Sequence, residues 1–201
     1  MFSRFLGQAG LDSKVKQLRL VSTFNFPEVA TLNIPDLVSD PRDSDAHTEE
    51  VAKLLPGLIY EEKSALILFT SWRQLNGVIR LLPDSLSQLL LVQGDDAKQV
   101  LISRHRENVL KGKSSFLVGL ASFAEGLDLP GNLCRHVIIA KIPFAVPDDP
   151  IDQTVAEFLE SQGRNPFYEM SLPDAALKLS LIHISEPTRR YAISYAVFCL
   201  K

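Results

Sequence analysis

From Ser64 onward, short apolar runs alternate with amphipathic ones, the pattern of βαβ units laid on a mostly parallel sheet. Ala65–Phe69 (ALILF) has the length and continuous apolarity of a strand buried on both faces. Ser71 can cap a helix running from Trp72 to about Leu82, because Trp72, Leu75, Val78, Ile79 and Leu82 recur at helical spacing. That spacing favours a core position for Trp72 over a stacking face for a ligand. Leu89–Val92 predicts a second strand, and Ala97 to about Lys111 a second helix with Val100, Leu101, His105 and Val109 or Leu110 on one side. His105 lies on that face and is expected to be a packed histidine, not a ligand. Phe116–Val118 and His136–Ala140 (HVIIA) predict two further strands. Lys141–Pro150 (KIPFAVPDDP) must be a loop, since its three prolines cannot sit in a central strand. Asp149 followed by Pro150 then starts a helix whose apolar stripe continues through Val155, Phe158 and Leu159.

Upstream of Ser64 the pattern is less regular. Leu18–Val21 and Ala30–Ile34 are candidate strands, Asp36–Asp45 a polar loop, and Ala46 to about Glu62 a helix with acids in its first turn. No internal repeat or low-complexity tract occurs.

At 201 residues, 46% hydrophobic and 22% charged, the composition is that of a globular chain with one good core. No run of 18 apolar residues exists and no signal-like block follows Met1, so a soluble cytoplasmic protein with no membrane partner is expected. Cys134 and Cys199 make neither a metal cluster nor a disulfide framework. The net charge of −3 argues against bulk attraction to nucleic acid and leaves room only for a local basic groove.

The densest chemical signal is Leu117–Gly131, LVGLASFAEGLDLPG. An apolar strand runs into Gly119, a small-residue turn, Glu125, the triplet Gly126-Leu127-Asp128, and Pro130-Gly131. A strand end followed by such a turn can offer backbone N–H groups to a phosphate-bearing ligand. The same letters also fit a plain strand-to-helix turn with Asp128 as a cap. Two more strand ends, Phe69-Thr70-Ser71 and Gln93-Gly94-Asp95, should reach the same edge of a parallel sheet, where ligands of open α/β folds bind.

Taken in order, LILFTSWRQL, LLLVQGDDAKQVLISRHR, GKSSFLVGLASFAEGLDLPG, VIIAKIPFAVPDDPI and RNPFYEMSLPDAALKL resemble the second RecA-like domain of the DinG family, bacterial DNA helicases related to the XPD iron–sulfur helicases. The opening FSRFLGQAGL and STFNF are similar to the family's approach to that domain. The resemblance implies an α/β, RecA-like domain of the P-loop NTPase type, with residues 1–63 leading in and 64–178 forming the core. It implies an ATP-driven motor that translocates on single-stranded DNA and unwinds duplexes in repair or replication. Single-stranded or forked DNA is the implied partner, ATP and Mg²⁺ the implied cofactors, and a monomer the expected state.

Residue by residue, Phe69, Thr70 and Ser71 match a motif that meets the DNA backbone, and Gln93, Gly94 and Ser122 fall in with them. The turn from Ser122 to Asp128 matches the motif that couples DNA contact to nucleotide state. Glu125, Gly126 and Asp128 are its nucleotide-side candidates, the acids serving to hold arginines or a ribose hydroxyl since they cannot attract phosphate. Glu125 as a local cap stays open. Lys141 and Phe144 are weaker candidates, a cation and a stacking face for single-stranded DNA, against a solvated lysine and a core phenylalanine.

The chain lacks several of the family's parts. It has no G-x-x-x-x-G-K-[ST] loop and no DEAH-like acid pair, so the phosphate cradle, the Mg²⁺ ligands and the four-cysteine iron–sulfur site are expected in a first motor domain outside it. No complete catalytic set or metal site is therefore expected in these 201 residues. After Lys178 the family pattern should continue into Q-x-x-G-R-x-x-R. Instead, LSLIHISEPTR (179–189) and ISYAVFCL (193–200) resemble an in-frame translation of a transposase-type sequencing-library adapter, with Arg190, Tyr191 and Ala192 at the index position. Residues 179–201 are expected to be a non-native tail. Without them the chain carries 18 basic and 23 acidic side chains, a charge of −5. Two other classes stay open at this point: a stand-alone single-stranded nucleic-acid-binding module, and an unrelated doubly wound nucleotide-binding enzyme.

Overall fold

The computed structural model describes residues 30–40, 42–144, 149–185 and 193–197, with a few scattered positions before residue 30. Among these described residues six strands form one sheet: β1 (Ala30–Asn33), β2 (Ser64–Phe69), β3 (Leu90–Val92), β4 (Ser115–Leu120), β5 (His136–Ile139) and β6 (Ile193–Val197). Their order is β1-β6-β5-β2-β4-β3 and every pairing is parallel. Around them lie helices α1 (Ser44–Ile59), α2 (Trp72–Leu81), α3 (Asp84–Ser87), α4 (Lys98–Leu110), α5 (Pro150–Ser161) and α6 (Leu172–Ser185).

β2 explains why the chain folds as two layers of helix around a sheet. All six of its residues are buried, and Ile67 is flanked by Val118 of β4 and Ile138 of β5. The two-residue period of a strand sends Ala65, Ile67 and Phe69 to one face, where they join Val51, Leu55, Ile59, Leu75 and Val78 of α1 and α2. Leu66 and Leu68 go to the other, where they join Leu101 of α4 and Phe123, Leu127 and Leu129 of the segment after β4. The first core thus runs through residue 63 without a break, since α1 supplies it from upstream. α1 and α2 touch at Gly77, where an added Cβ would stand 2.9 Å from Thr48 Cγ2.

Local signals set most boundaries. Asp43 caps α1 by accepting from the amides of Asp45 and Ala46. Ser71 caps α2 by accepting from Gln74 N at 3.3 Å, and Asp149 caps α5 by accepting from Ile151 N at 2.8 Å, with Pro150 as the first helical residue. α1 starts two residues earlier than periodicity suggests and stops at Ile59, and β4 extends beyond Val118 to Leu120.

Several expectations need correction. Trp72 is 44% exposed: as the first residue of α2 it projects at the sheet edge, before the helix has turned onto the core. In α4 the buried face is Leu101, Ile102 and His105, with Val109 packed beside it; Val100 and Leu110 face water. The apolar stripe of α5 is largely outward, with Ile151, Val155 and Phe158 exposed and only Leu159 buried. α3 has no periodic signal because it is a single turn. Leu18–Val21 lies almost entirely outside the described residues.

His105 is packed as expected. Its Nε2 donates to Leu133 O at 2.7 Å, so Nδ1 accepts from the Ser115 hydroxyl at 3.0 Å, and the ring ties α4 to β4 and to the turn before β5. Burial holds its pKa below the usual histidine value.

Candidate nucleic-acid interface

Because β2, β4 and β3 are parallel neighbours, their C-terminal ends bring Phe69-Thr70-Ser71, Leu120-Ala121-Ser122 and Gln93-Gly94 to one edge. The junction is tightly built. Gln93 N donates to Val118 O at 2.8 Å, and its side-chain Oε1 accepts from Leu120 N, also at 2.8 Å, bonding the end of β3 to the start of the turn after β4. Gly119 makes room for this: a Cβ there would lie 2.7 Å from the Phe123 ring and 2.8 Å from Gln93 Oε1. Its glycine is needed for close approach, not for backbone conformation.

Ala121–Ala124 then forms a short 3₁₀ turn whose Phe123 and Ala124 are buried while Ser122 faces water. Leu127 and Leu129 anchor the rest, leaving Glu125, Gly126 and Asp128 on the outside, with Gly126 in the left-handed region at φ 70°. The main chain of this loop is held by cations of α4. Lys98 Nζ donates to Glu125 O at 2.6 Å and lies 5.4 Å from the centroid of the Phe123 ring, and Arg106 reaches Asp128 O at 3.5 Å.

A cleft of about 470 Å³ opens where this turn meets the end of β2 and the loop after β5. Phe69, Thr70, Ser122, Glu125, Gly126 and Phe144 line it, with Leu120, Ala121, Pro143 and Lys178. Six residues singled out from the sequence thus share one cavity. Phe69 is 1% exposed, its side chain belonging to the first core, so it shapes the floor. Thr70 and Ser122 present exposed hydroxyls. Phe144 is 37% exposed and packs on Phe167, which corrects the alternative of a core phenylalanine.

The other candidates lie apart from the cavity. Gln93 and Gly94 sit beyond β4, with Gly94 at φ 101° beside the Trp72 indole: a Cβ added at Gly94 would lie 3.7 Å from Trp72 Cη2. The Ser71 hydroxyl is engaged in capping α2. Asp128 and Lys141 do not line the cavity. Lys141 instead stands near His47 of α1, whose pKa is lowered by burial first and then by the lysine charge. His47 Nδ1 accepts from the Gln74 side-chain amide at 2.7 Å, so this buried pair fixes the first turn of α2 just behind Thr70 and Ser71.

Sequence reasoning missed Lys178, the cleft's own lysine, because its position depends on how α6 returns across the edge; only its place late in an amphipathic segment could have hinted at it. It also missed the exposure of Trp72. For a metal, no group of three or more His, Cys, Asp or Glu comes together among the described residues. Cys134 is buried beside the His136 carbonyl, a poor ligand for an iron–sulfur cluster. No helix among the described residues is long and apolar enough to cross a membrane.

An open parallel sheet with helices on both faces and a cleft at its strand C-termini defines the chain as a RecA-like α/β domain. Residues 58–180 match the helicase C-terminal domain family, and the chain belongs to that family. It is 41% identical over 181 residues to the ATP-dependent DNA helicase DinG of Photobacterium profundum, covering 89% of this chain and 26% of that protein. The DinG helicase of Escherichia coli (strain K12) is 38% identical over 184 residues with the same coverage, so the chain spans about a quarter of the length of these relatives. Among solved structures, an XPD helicase superposes with a TM-score of 0.62 at 19% identity, over 84% of this chain and 31% of that one, which supports the fold.

Proposed function

We propose that this domain is the second motor domain of an ATP-dependent DNA helicase, gripping the backbone of single-stranded DNA along the β2, β4 and β3 edge while the larger protein translocates and unwinds duplexes in repair or replication. The observation that carries the reading is the Gln93–Leu120–Gly119 junction. It makes the turn bearing Ser122, Glu125, Gly126 and Asp128 one rigid piece with the strand ends bearing Thr70 and Gly94. Hydroxyls and main-chain groups suit phosphate contacts that do not read sequence. A turn fixed on one side to the cleft and exposing Asp128 on the other can pass a change at a nucleotide to the strand it holds.

ATP and Mg²⁺ are held mainly by a first motor domain. On this reading the phosphate cradle is assigned to that first domain because the chain has no G-x-x-x-x-G-K-[ST] loop. Asp128 would face the nucleotide from this side, holding a cationic or ribose group. The iron–sulfur cluster of the family likewise belongs outside these residues. The working protein is a cytoplasmic monomer on single-stranded or forked DNA.

The 201-residue chain should bind a dT oligonucleotide weakly and in a salt-sensitive way. With Lys178 as the cleft's cation, log K should fall with log salt at a slope near about −0.7 per lysine–phosphate contact on single strands. The chain should not turn over ATP with or without DNA. DNA-stimulated ATP hydrolysis by this chain would refute the division of labour, and salt-independent binding the grip on phosphate.

A further inference from the structure

Three aromatic rings stand in water at the mouth of the cleft. Phe144 is 37% exposed, Phe167 45% and Tyr168 65%. Phe144 and Phe167 pack with centroids 5.4 Å apart at 43°, and Phe167 and Tyr168 at the same distance nearly edge to face, at 78°. Phe144 lines the cleft, so the row begins inside it and climbs outward.

The rings are presented on a fixed backbone. Phe167–Ser171 is a π-helical turn, an element that recurs at functional sites. Its start is pinned by Asn165, whose side-chain oxygen accepts from Phe167 N at 2.9 Å and whose carbonyl accepts from Glu169 N at 3.2 Å. Charge beside the row is close to balanced, with Glu125 and Lys178 both lining the cleft. The Arg164 guanidinium grips both carboxylate oxygens of Glu169, next to Tyr168, and Lys178 supplies a cation within the cleft.

We propose that Phe144, Phe167 and Tyr168 form a stair on which successive bases of a single-stranded nucleic acid stack, while its phosphates lie along Thr70, Ser122 and Lys178. The inference rests on the backbone-gripping role above and adds the place where the bases go. An edge contact occupies at most one face of either ring, so Tyr168 keeps a face for a base. Stacking on an open ring tolerates every base, as a translocating domain requires. An apolar patch meant for another protein would have no need to lead into a hydroxyl- and lysine-lined cleft.

The test compares a dT oligonucleotide with an abasic one of equal length, both titrated into the 201-residue chain. The dT strand should bind more tightly. Tyr168→Ala should weaken dT binding by about fivefold to a hundredfold, the range that base–aromatic stacking spans. It should leave the abasic affinity unchanged, and Tyr168→Phe should restore dT binding. Tyr60→Ala, an exposed tyrosine where α1 ends near the opposite edge of the sheet, should change neither. Equal binding of the two strands, with Tyr168→Ala inert, overturns the stair while sparing the phosphate grip, and would make the rings a protein-docking face. Absence of binding to either strand overturns both.

Discussion

Gly119→Ala places one methyl group at the junction on which the site depends. The new Cβ would lie 2.7 Å from two Phe123 ring carbons and 2.8 Å from Gln93 Oε1, against about 3.5–4.0 Å for relaxed carbon contacts. Phe123 is 3% exposed, so its ring can retreat only by disturbing the second core, at a cost of about 1–3 kcal/mol. If Gln93 swings away instead, the Leu120 amide loses its acceptor, which costs about 1 kcal/mol or more. Alanine is the better strand residue by about 0.5–1 kcal/mol, since no left-handed φ is required here. The net expectation, after the strand gain is subtracted, is a destabilisation of about 0.5–2 kcal/mol. At a urea m-value of about 2 kcal/mol/M, the midpoint should fall by roughly 0.3–1 M. Urea unfolding followed by the fluorescence of Trp72, the chain's single tryptophan, measures it. Gly57→Ala is the contrast, for in α1 nothing lies within 4 Å of the added Cβ, and helix propensity should stabilise the chain by about 0.5–1 kcal/mol. A Gly119→Ala midpoint equal to or above that of the parent would refute the junction's tightness.

Other expectations follow from single groups. His105→Leu strands the Ser115 hydroxyl and the Leu133 carbonyl and should cost about 2–4 kcal/mol by urea unfolding. The pKa of His105 is lowered on folding by burial, as are those of His47 and His136, so the unfolded chain binds more protons just below the ordinary histidine pKa. Stability should therefore be complete above about pH 6.5 and decline as pH falls below it; a midpoint flat between about pH 7.5 and 5.5 would contradict this. Ser71→Ala removes the cap of α2 and should lower stability by about 1 kcal/mol.

The sheet was legible because its strands carry their signal locally. ALILF and HVIIA are apolar without interruption, which in a parallel sheet means burial on both faces, and both are strands with flanking partners. The shared edge was legible because strands of a parallel sheet all end on one side, whereas the order β2-β4-β3 was not, since periodicity cannot say which strands adjoin. Failures cluster where helical spacing says that a residue has an apolar face but not what covers it. Trp72 fits the stripe of α2 yet sits at its first position, outside the core, and Ile151, Val155 and Phe158 form a stripe that faces water. Phe144 was ambiguous because proline-rich loops take their course from tertiary contacts, here with Phe167. Ile193–Val197 lies in the segment resembling translated adapter and still forms a strand between β1 and β5. A short β-branched and aromatic run pairs in a parallel sheet whatever its origin, so that strand says nothing of function.

The central claim is that the edge formed by Thr70–Trp72, Gln93–Gly94 and Leu120–Asp128 is one nucleic-acid-binding surface. Amide hydrogen exchange of the 201-residue chain, with and without saturating dT oligonucleotide at low salt, tests it most directly. The account predicts slowed exchange at those three segments together, reversed by raising salt. Protection confined to other elements, or to only one of the three strand ends, would contradict it.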